Sequence, residues 1–293
     1  MKSLGAVAVG VFAAATARAA VLWDGRFNEF SSAADLGKWS WSNQVGPYQY
    51  YIHGSGSVEK YINLSPEYKN PNDTSSKQGA KFTLDATAFW NGQTMRRTEL
   101  IPQTKSAIAA GKAVYHFSMM RTDKNAPSVN REHQICFFES HFTEMKYGWI
   151  SGEPGTSNPN LQWMVGQKSL WKTEWKPNVW HNIAYEIVRL SCRLFPPLFL
   201  SVIRRTDRVL LIRRATRAQD FPRSVTFWHS EGAEPLTKKA GPASASASSN
   251  GADWHLGVLE LPRSGYPDTN EDFYFSGVYI ESGAVTTSVA GPK

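Results

Sequence analysis

The sequence predicts an all-β protein, a β-jelly-roll sandwich of two antiparallel sheets with a few short helices. Short runs rich in β-branched and aromatic residues alternate with Gly, Pro, Asn and Ser breaks, a spacing typical of sandwiches. Helical periodicity is scarce, and the best helix candidate is the short segment 105–112. The chain shows no repeat of fixed period and no linker to a second module, so we expect residues 20–293 to form a single domain. The predicted strands cover residues 48–52, 80–84, 114–120, 134–139, 161–165, 255–259 and 273–280.

Residues 1–19 have the layout of an export signal. Lys2 supplies a positive charge, residues 5–15 form an apolar run, and Ala17-Arg18-Ala19 places small residues at the cleavage positions. The apolar run is too short to anchor the chain in a bilayer. We therefore predict a secreted, extracellular protein without a membrane anchor.

Export makes two sequons candidates for glycosylation, and it makes the number of cysteines informative about disulfides. Asn63 and Asn72 each begin an Asn-x-Ser/Thr sequence, and Asn72 is the better glycosylation candidate because Pro66 follows the first sequon. The chain has only two cysteines, Cys136 and Cys192, so its stability must come from a hydrophobic core and not from a disulfide framework. Cys136 is expected to be a small buried hydrophobe.

The net charge of +7 is concentrated in one segment. Residues 188–219 hold eight arginines against the single acidic residue Asp207, so the rest of the chain sums to zero. A neutral body argues against a nucleic-acid partner. The segment also lacks glycine, tryptophan and tyrosine, and its flanks resemble the two strands of a hairpin.

Three interpretations of this basic segment remain open. It is a retained intron translated in frame, a basic amphipathic insertion that contacts a membrane or an anionic wall polymer, or a local structural excursion without function. Sequencing the transcript separates them, because a message without these codons removes the last two.

Two predicted strands each place a glutamate beside a basic residue. In the segment 94–100, strand alternation puts Arg97 and Glu99 on one face and Arg96 on the other. In the segment 133–141, it puts His133, Glu139 and His141 on one face.

A carboxylate on a strand this apolar is costly unless it is hydrogen-bonded, paired or functional. Glu99 and Glu139 therefore fit either the two carboxyl groups of glycoside hydrolysis or two structural salt bridges. Phosphate loops, Gly-x-Ser-x-Gly elbows and histidine pairs at helical spacing are absent, so we predict no cofactor and no metal.

Long segments of the chain resemble one family of fungal enzymes, glycoside hydrolase family 131. The resemblance covers residues 21–285 apart from the basic segment. It is carried by LWDGRFN (22–28), WSWSNQVGPYQYYIHG (39–54), MRRTELIPQT (95–104), NREHQICFFESHFTEMKYGWISGE (130–153), WHNIAYEI (180–187), FWHSEG (227–232) and NEDFYFSGVYIE (270–281).

This resemblance implies a secreted, monomeric β-glucanase that acts on β-1,3-, β-1,4- and β-1,6-glucans of cell walls, with Glu99 and Glu139 as the catalytic carboxylates. We expect Glu139 to be the acid, because apolar neighbours would raise its pKa, and Glu99 to be the ionised partner. The supporting or substrate-binding candidates are Arg96, Arg97, His133, Tyr48, Tyr50, Tyr51, Lys146 and Trp149.

Two other classes of function are compatible with the same residues. A polysaccharide lyase acting on glucuronan-like polymers needs a Tyr or His base and an Arg or cation for the uronate carboxylate, and residues of these types are present. A non-catalytic β-glucan-binding lectin needs only exposed aromatic rings, on which sugar faces stack. Product analysis on laminarin, cellulose and glucuronan distinguishes the three.

Overall fold

The protein is built from two antiparallel sheets packed face to face. The computed structural model describes residues 19–38, 46–102, 111–189, 223–245 and 254–292. The strands are β1 Ala20–Asp24, β2 Tyr48–Ile52, β3 Ile62–Ser65, β4 Gly79–Leu84, β5 Arg96–Pro102, β6 Lys112–Met120, β7 His133–Phe138, β8 Thr143–Tyr147, β9 Asn160–Val165, β10 Lys168–Glu174, β11 His181–Val188, β12 Arg223–Glu231, β13 Thr237–Ala245, β14 Trp254–Glu260 and β15 Glu271–Ser282. The helices are α1 Val58–Tyr61 and the 3₁₀ turns Phe27–Glu29, Ala33–Lys38 and Pro66–Tyr68.

The first sheet has the strand order β13-β12-β11-β6-β15-β4-β3, with β1 paired to β15. The second sheet has the order β10-β9-β8-β7-β14-β5-β2. Neighbouring strands in each order are often far apart in the sequence, as expected of a sandwich with crossing connections. The predicted all-β sandwich of two antiparallel sheets is confirmed.

The inner faces of the two sheets form an aromatic core. Trp163 of the second sheet stacks on Phe227 of the first, with ring centroids 5.0 Å apart. Trp254 meets Tyr115 edge to face at 5.3 Å. Burying a large apolar side chain contributes about 1.5–3 kcal/mol, so these contacts hold the sheets in a fixed relative position. We call the side of the second sheet that faces away from this core the outer face.

Strand β7 changes face within its length. Ile135 and Phe138 both point into the core, although strict alternation would put them on opposite sides. Cys136 between them has φ 48°, and here one residue of β7 lies opposite Leu256 and Gly257 of β14. This irregularity is a β-bulge. Cys136 itself is fully buried, as predicted.

Several predicted features lie outside the described residues. They are the export signal up to residue 18, Cys192, most of the helix candidate 105–112, and the basic segment from residue 190 onward. The flanks of the basic segment are described: β11 and β12 pair antiparallel from His181 with Glu231 to Val188 with Ser224. These are the hairpin strands that the sequence predicts. Among the helices that the structure describes, none has the length and apolar character needed to cross a membrane.

Candidate active site

Glu99 lies on the outer face of β5 and is held by hydrogen bonds to Arg97 and His255. The Arg97 guanidinium donates from Nε to Oε1 at 2.6 Å and from Nη2 to Oε2 at 2.8 Å. Nδ1 of His255, on β14, lies 2.6 Å from Oε2. Burial alone would raise the pKa of Glu99, but the hydrogen bonds from His255 and Arg97 outweigh it and hold the pKa below the usual 4.5. Glu99 is therefore an ionised carboxylate.

The ring of His255 lies between Glu99 and Glu139. Its Nε2 is 3.5 Å from Oε2 of Glu139, while its Nδ1 contacts Glu99. Glu139 follows the last residue of β7, and its side chain is 61% exposed. The sequence predicted Glu139 among apolar neighbours inside a strand; that expectation is wrong, because the strand ends at Phe138. The two predicted carboxylates do meet at one histidine, one of them buried and the other open to solvent.

A row of stacked rings extends from His255 across the outer face. Phe137 stacks on His255 at 4.6 Å between centroids and on His141 at 5.0 Å. Nδ1 of His141 lies 2.9 Å from the carboxylate of Glu144 on β8. Because the rings are stacked in contact, they fix the orientation of His255 from the side opposite to Arg97.

Lys146 lies next to Glu144 at the end of this row. Its ammonium group is 2.6 Å from Glu132 and 3.6 Å from Glu144. Lys146 thus lies on the same face as Glu99, with β7 and β14 between their two strands. The structure brings together Arg97, Glu99, Glu139 and Lys146 from the set that the sequence predicts.

Arg96 and His133 are placed on the other side of the sheet. Arg96 makes buried ion pairs with Glu260 and Glu271, and its Nη1 also donates to the Leu84 carbonyl oxygen. Nε2 of His133 is 2.6 Å from Glu271. Although burial lowers the pKa of His133, the Glu271 carboxylate raises it above 6.5 overall. Alternation predicted the position of Arg96 correctly.

The prediction that His133 shares a face and a cleft with Glu139 is wrong. The change of face at Cys136 separates the two residues, because His133 precedes the bulge and points inward with Ile135. Its ring packs against Phe273 of the first sheet.

From the resemblance, Tyr48, Tyr50 and Tyr51 are expected to form walls of the substrate-binding groove. Tyr48 and Tyr51 are core residues: the Tyr48 hydroxyl donates to the Gly25 carbonyl oxygen at 2.6 Å, and Tyr51 stacks on His53. A register shift in β2 between Tyr48 and Tyr50 lets both rings turn inward. The side chain of Tyr50 lies outside the described residues. The groove-wall role is therefore wrong for Tyr48 and Tyr51.

Trp149 lies in the loop after β8. Its ring is covered on one face by the Arg263 guanidinium at 3.5 Å, and its indole nitrogen donates to the Glu153 carbonyl oxygen. No contact links Trp149 to Glu99 or Glu139 within the part of the chain that the structure describes. Its place in substrate binding stays a prediction.

Sequence reasoning missed His255 and Glu144. His255 begins the predicted strand 255–259, where alternation alone gives no reason to prefer it, and Glu144 lies on β8, a strand outside those predicted from the sequence. Their importance follows from strand pairing: β14 pairs with both β5 and β7, which brings His255 between the two glutamates. A list of strands without their order cannot supply this information.

Comparison with known proteins identifies the family of the chain. A family model described as the glycoside hydrolase 131 catalytic N-terminal domain matches residues 21–286. The chain belongs to this family.

Two crystal structures support the membership. A family 131 β-glucanase catalytic domain from Podospora anserina is 61% identical and covers 93% of this chain and 100% of its own, with a TM-score of 0.80. The catalytic domain of a family 131 protein from Coprinopsis cinerea is 41% identical, covers 92% and 97%, and has a TM-score of 0.74. No curated protein sequence matches the chain. The family 131 protein described here is therefore a glycoside hydrolase.

Proposed function

We propose that this protein is a secreted β-glucanase that hydrolyses cell-wall glucan through Glu99 and Glu139. The observation that supports it best is the pair of contacts at His255, which joins the two carboxylates of unequal exposure. The family 131 structure from Podospora anserina is described as a β-glucanase and is 61% identical. We extend the substrate range to β-1,3-, β-1,4- and β-1,6-linked glucans.

Glu99 is the proton acceptor in this proposal. Its lowered pKa keeps it ionised. A carboxylate has about four lone-pair positions. The two hydrogen bonds from Arg97 and the one from His255 leave one position that can accept a hydrogen bond from a water. The water loses its proton to Glu99 and attacks the anomeric carbon. Arg97 orients the carboxylate without taking part in proton transfer.

Glu139 is the proton donor. Its exposed side chain can approach the glycosidic oxygen of a polysaccharide lying on the outer face. Protonation of that oxygen releases the leaving sugar as an alcohol while the bond to the anomeric carbon breaks. Lys146 and Trp149 are proposed to contact sugar hydroxyls and rings farther along the same face.

We favour inversion at the anomeric carbon. Inverting enzymes hold their two carboxyl groups ~6.5–9.5 Å apart, with a water between them, whereas retaining enzymes hold them ~5–5.5 Å apart. The imidazole ring of His255 lies between Glu99 and Glu139 with one nitrogen toward each, an arrangement that suits the longer separation.

Both carboxyl groups must recover their protonation states after turnover. After one inverting turnover, Glu99 holds a proton and Glu139 has lost one. Because Glu139 is exposed, it regains its proton from solvent, and Glu99 returns its proton to water as the product leaves. Nδ1 of His255 keeps its own proton and donates it in the hydrogen bond to Glu99.

Export, a monomeric state and glycosylation belong to the same proposal. Asn72 lies in a turn and Asn63 lies in β3, and both side chains are partly exposed. Expression in a fungal or yeast host with and without glycosidase treatment, followed by mass determination, tests both sequons.

The decisive experiment compares Glu99→Gln and Glu139→Gln with wild type on laminarin and cellulose, by release of reducing ends. We expect each variant to lose about 10²–10⁴-fold in kcat, the usual contribution of a general acid or base. Glu67→Gln, at an exposed acid in a 3₁₀ turn, is the matched control and should keep full activity. Near-normal activity in both site variants would show that the glutamate pair is misassigned.

The same assay separates the other two functions. A lyase would act on glucuronan, give products that absorb in the ultraviolet, and leave laminarin intact. A lectin would bind laminarin without producing reducing ends. Proton NMR of the first product shows whether its anomeric centre is α or β, which tests inversion directly.

A further inference from the structure

A second cluster of histidine and carboxylate groups lies at the opposite edge of the sandwich from β5. His181 begins β11, and its register partner on β12 is Glu231. His229 precedes Glu231 by two residues and therefore points to the same face. Nδ1 of His181 is 2.9 Å from Nε2 of His229 and 3.9 Å from Oε1 of Glu231.

Both histidines are buried, and their rings face each other through Nδ1 of His181 and Nε2 of His229. An imidazole nitrogen is a common metal ligand. A cation between the two nitrogens would be bound by both of them, in place of the hydrogen bond that joins the rings.

Two of the three separations between the donor atoms are close to those of a tetrahedral metal site, and all three lie within 4.8 Å. Zn²⁺ binds nitrogen at about 2.0–2.1 Å, so two nitrogen ligands at tetrahedral angles lie about 3.3 Å apart. The observed 2.9 Å and 3.9 Å bracket this value, and shifts of about half an ångström in side-chain position would satisfy both. Two nitrogens and one oxygen favour zinc over calcium or magnesium, which prefer all-oxygen sites.

The cluster can be reached from solvent. The Glu231 side chain is 52% exposed, and a groove beside it is lined by Trp171, Thr173 and Glu174. The ring of Trp171 contacts His229 at 4.5 Å and forms the apolar wall. The groove lining carries as many acidic as basic residues: Glu174, Glu231 and Glu234 against Lys172, Lys176 and Lys239. The lining therefore carries no net positive charge that would repel a divalent cation.

We propose that His181, His229 and Glu231 form a zinc-binding site, with the fourth position open to water. The site is separate from the glutamate pair, because it lies on the first sheet beside β10, whereas Glu99 and Glu139 lie on or next to β5 and β7. The bound ion ties β11 to β12 and stabilises the hairpin. This inference does not depend on the proposed β-glucanase activity.

The test is a Zn²⁺ titration of the full chain without a polyhistidine tag, after treatment with EDTA and its removal. Wild type should bind one Zn²⁺ and show a higher unfolding temperature, by roughly 5 °C at a hundredfold excess over Kd. His229→Gln should weaken binding by at least about 100-fold, since even an outer-shell partner is worth about 10–100-fold. Replacing Zn²⁺ by Co²⁺ should give the visible absorption of a tetrahedral nitrogen–oxygen site.

The controls are matched by residue type. Glu231→Gln, at an exposed position, removes a ligand with little risk to folding, and Glu234→Gln removes a nearby acid that is not a ligand. His53→Gln removes a half-buried histidine elsewhere. Binding that is absent in wild type, or that survives in both His229→Gln and Glu231→Gln, overturns the proposal. Circular dichroism of each variant confirms that the fold is intact before titration.

Discussion

Two clusters of the same residue types lie on opposite sides of the second sheet. The outer cluster joins Arg97, Glu99, His255 and Glu139. The inner cluster joins Arg96, Arg131, His133, Glu260 and Glu271. Both contain arginine, histidine and two glutamates. These inner side chains are all buried, whereas Glu139 exposes the outer cluster to solvent. Under the proposed function, exposure to substrate, and not the kind of residue, distinguishes the outer cluster from the inner one.

The largest effect is expected from breaking the inner cluster. Arg96→Met removes the buried cation between Glu260 and Glu271 and leaves Arg131 and His133 to compensate both buried carboxylates. Such a change typically costs about 3–5 kcal/mol in the free energy of unfolding. Denaturant unfolding measures this loss. The kcat of the protein that remains folded should stay near that of wild type, and a large drop in kcat would show that the inner cluster is not purely structural.

A smaller effect is expected from His255→Gln. Gln keeps a polar group near Glu99 but cannot contact both carboxylates through opposite ring nitrogens. We expect kcat to fall about 100-fold, with KM nearly unchanged, because the loss affects charge and proton movement and not sugar binding. A change confined to KM would instead place His255 in substrate binding.

The smallest effect is a shift in pH dependence. Because the folded pKa of Glu99 lies below 4.5, its ionised form persists below that pH and is lost only as pH falls through the lowered value. The acidic limb of kcat/KM should therefore lie below pH 4.5 in wild type. In His255→Gln the limb should move upward, since a hydrogen bond to the carboxylate is weakened. An unchanged limb would assign it to another group.

Much of this comparison follows from the sequence, and the rest depends on strand pairing. Alternation within β5 separates Arg96 from Arg97 correctly, because that strand is regular. It fails in β7 and β2, where local irregularities turn His133, Tyr48 and Tyr51 toward the core. A search for helical spacing cannot find the histidine pair 181 and 229, because the two residues are 48 positions apart in the sequence and lie on neighbouring strands.

The bulge at Cys136 also affects how the enzyme can change over generations. Ile135, Cys136 and Phe138 belong to the core, while Phe137 between them lies on the outer face and stacks on His255. Selection for core packing and selection on the outer face therefore act on adjacent residues of one short strand. A substitution at Cys136 or Phe138 that changes core packing also shifts the backbone that carries Phe137, so the two kinds of selection are coupled here.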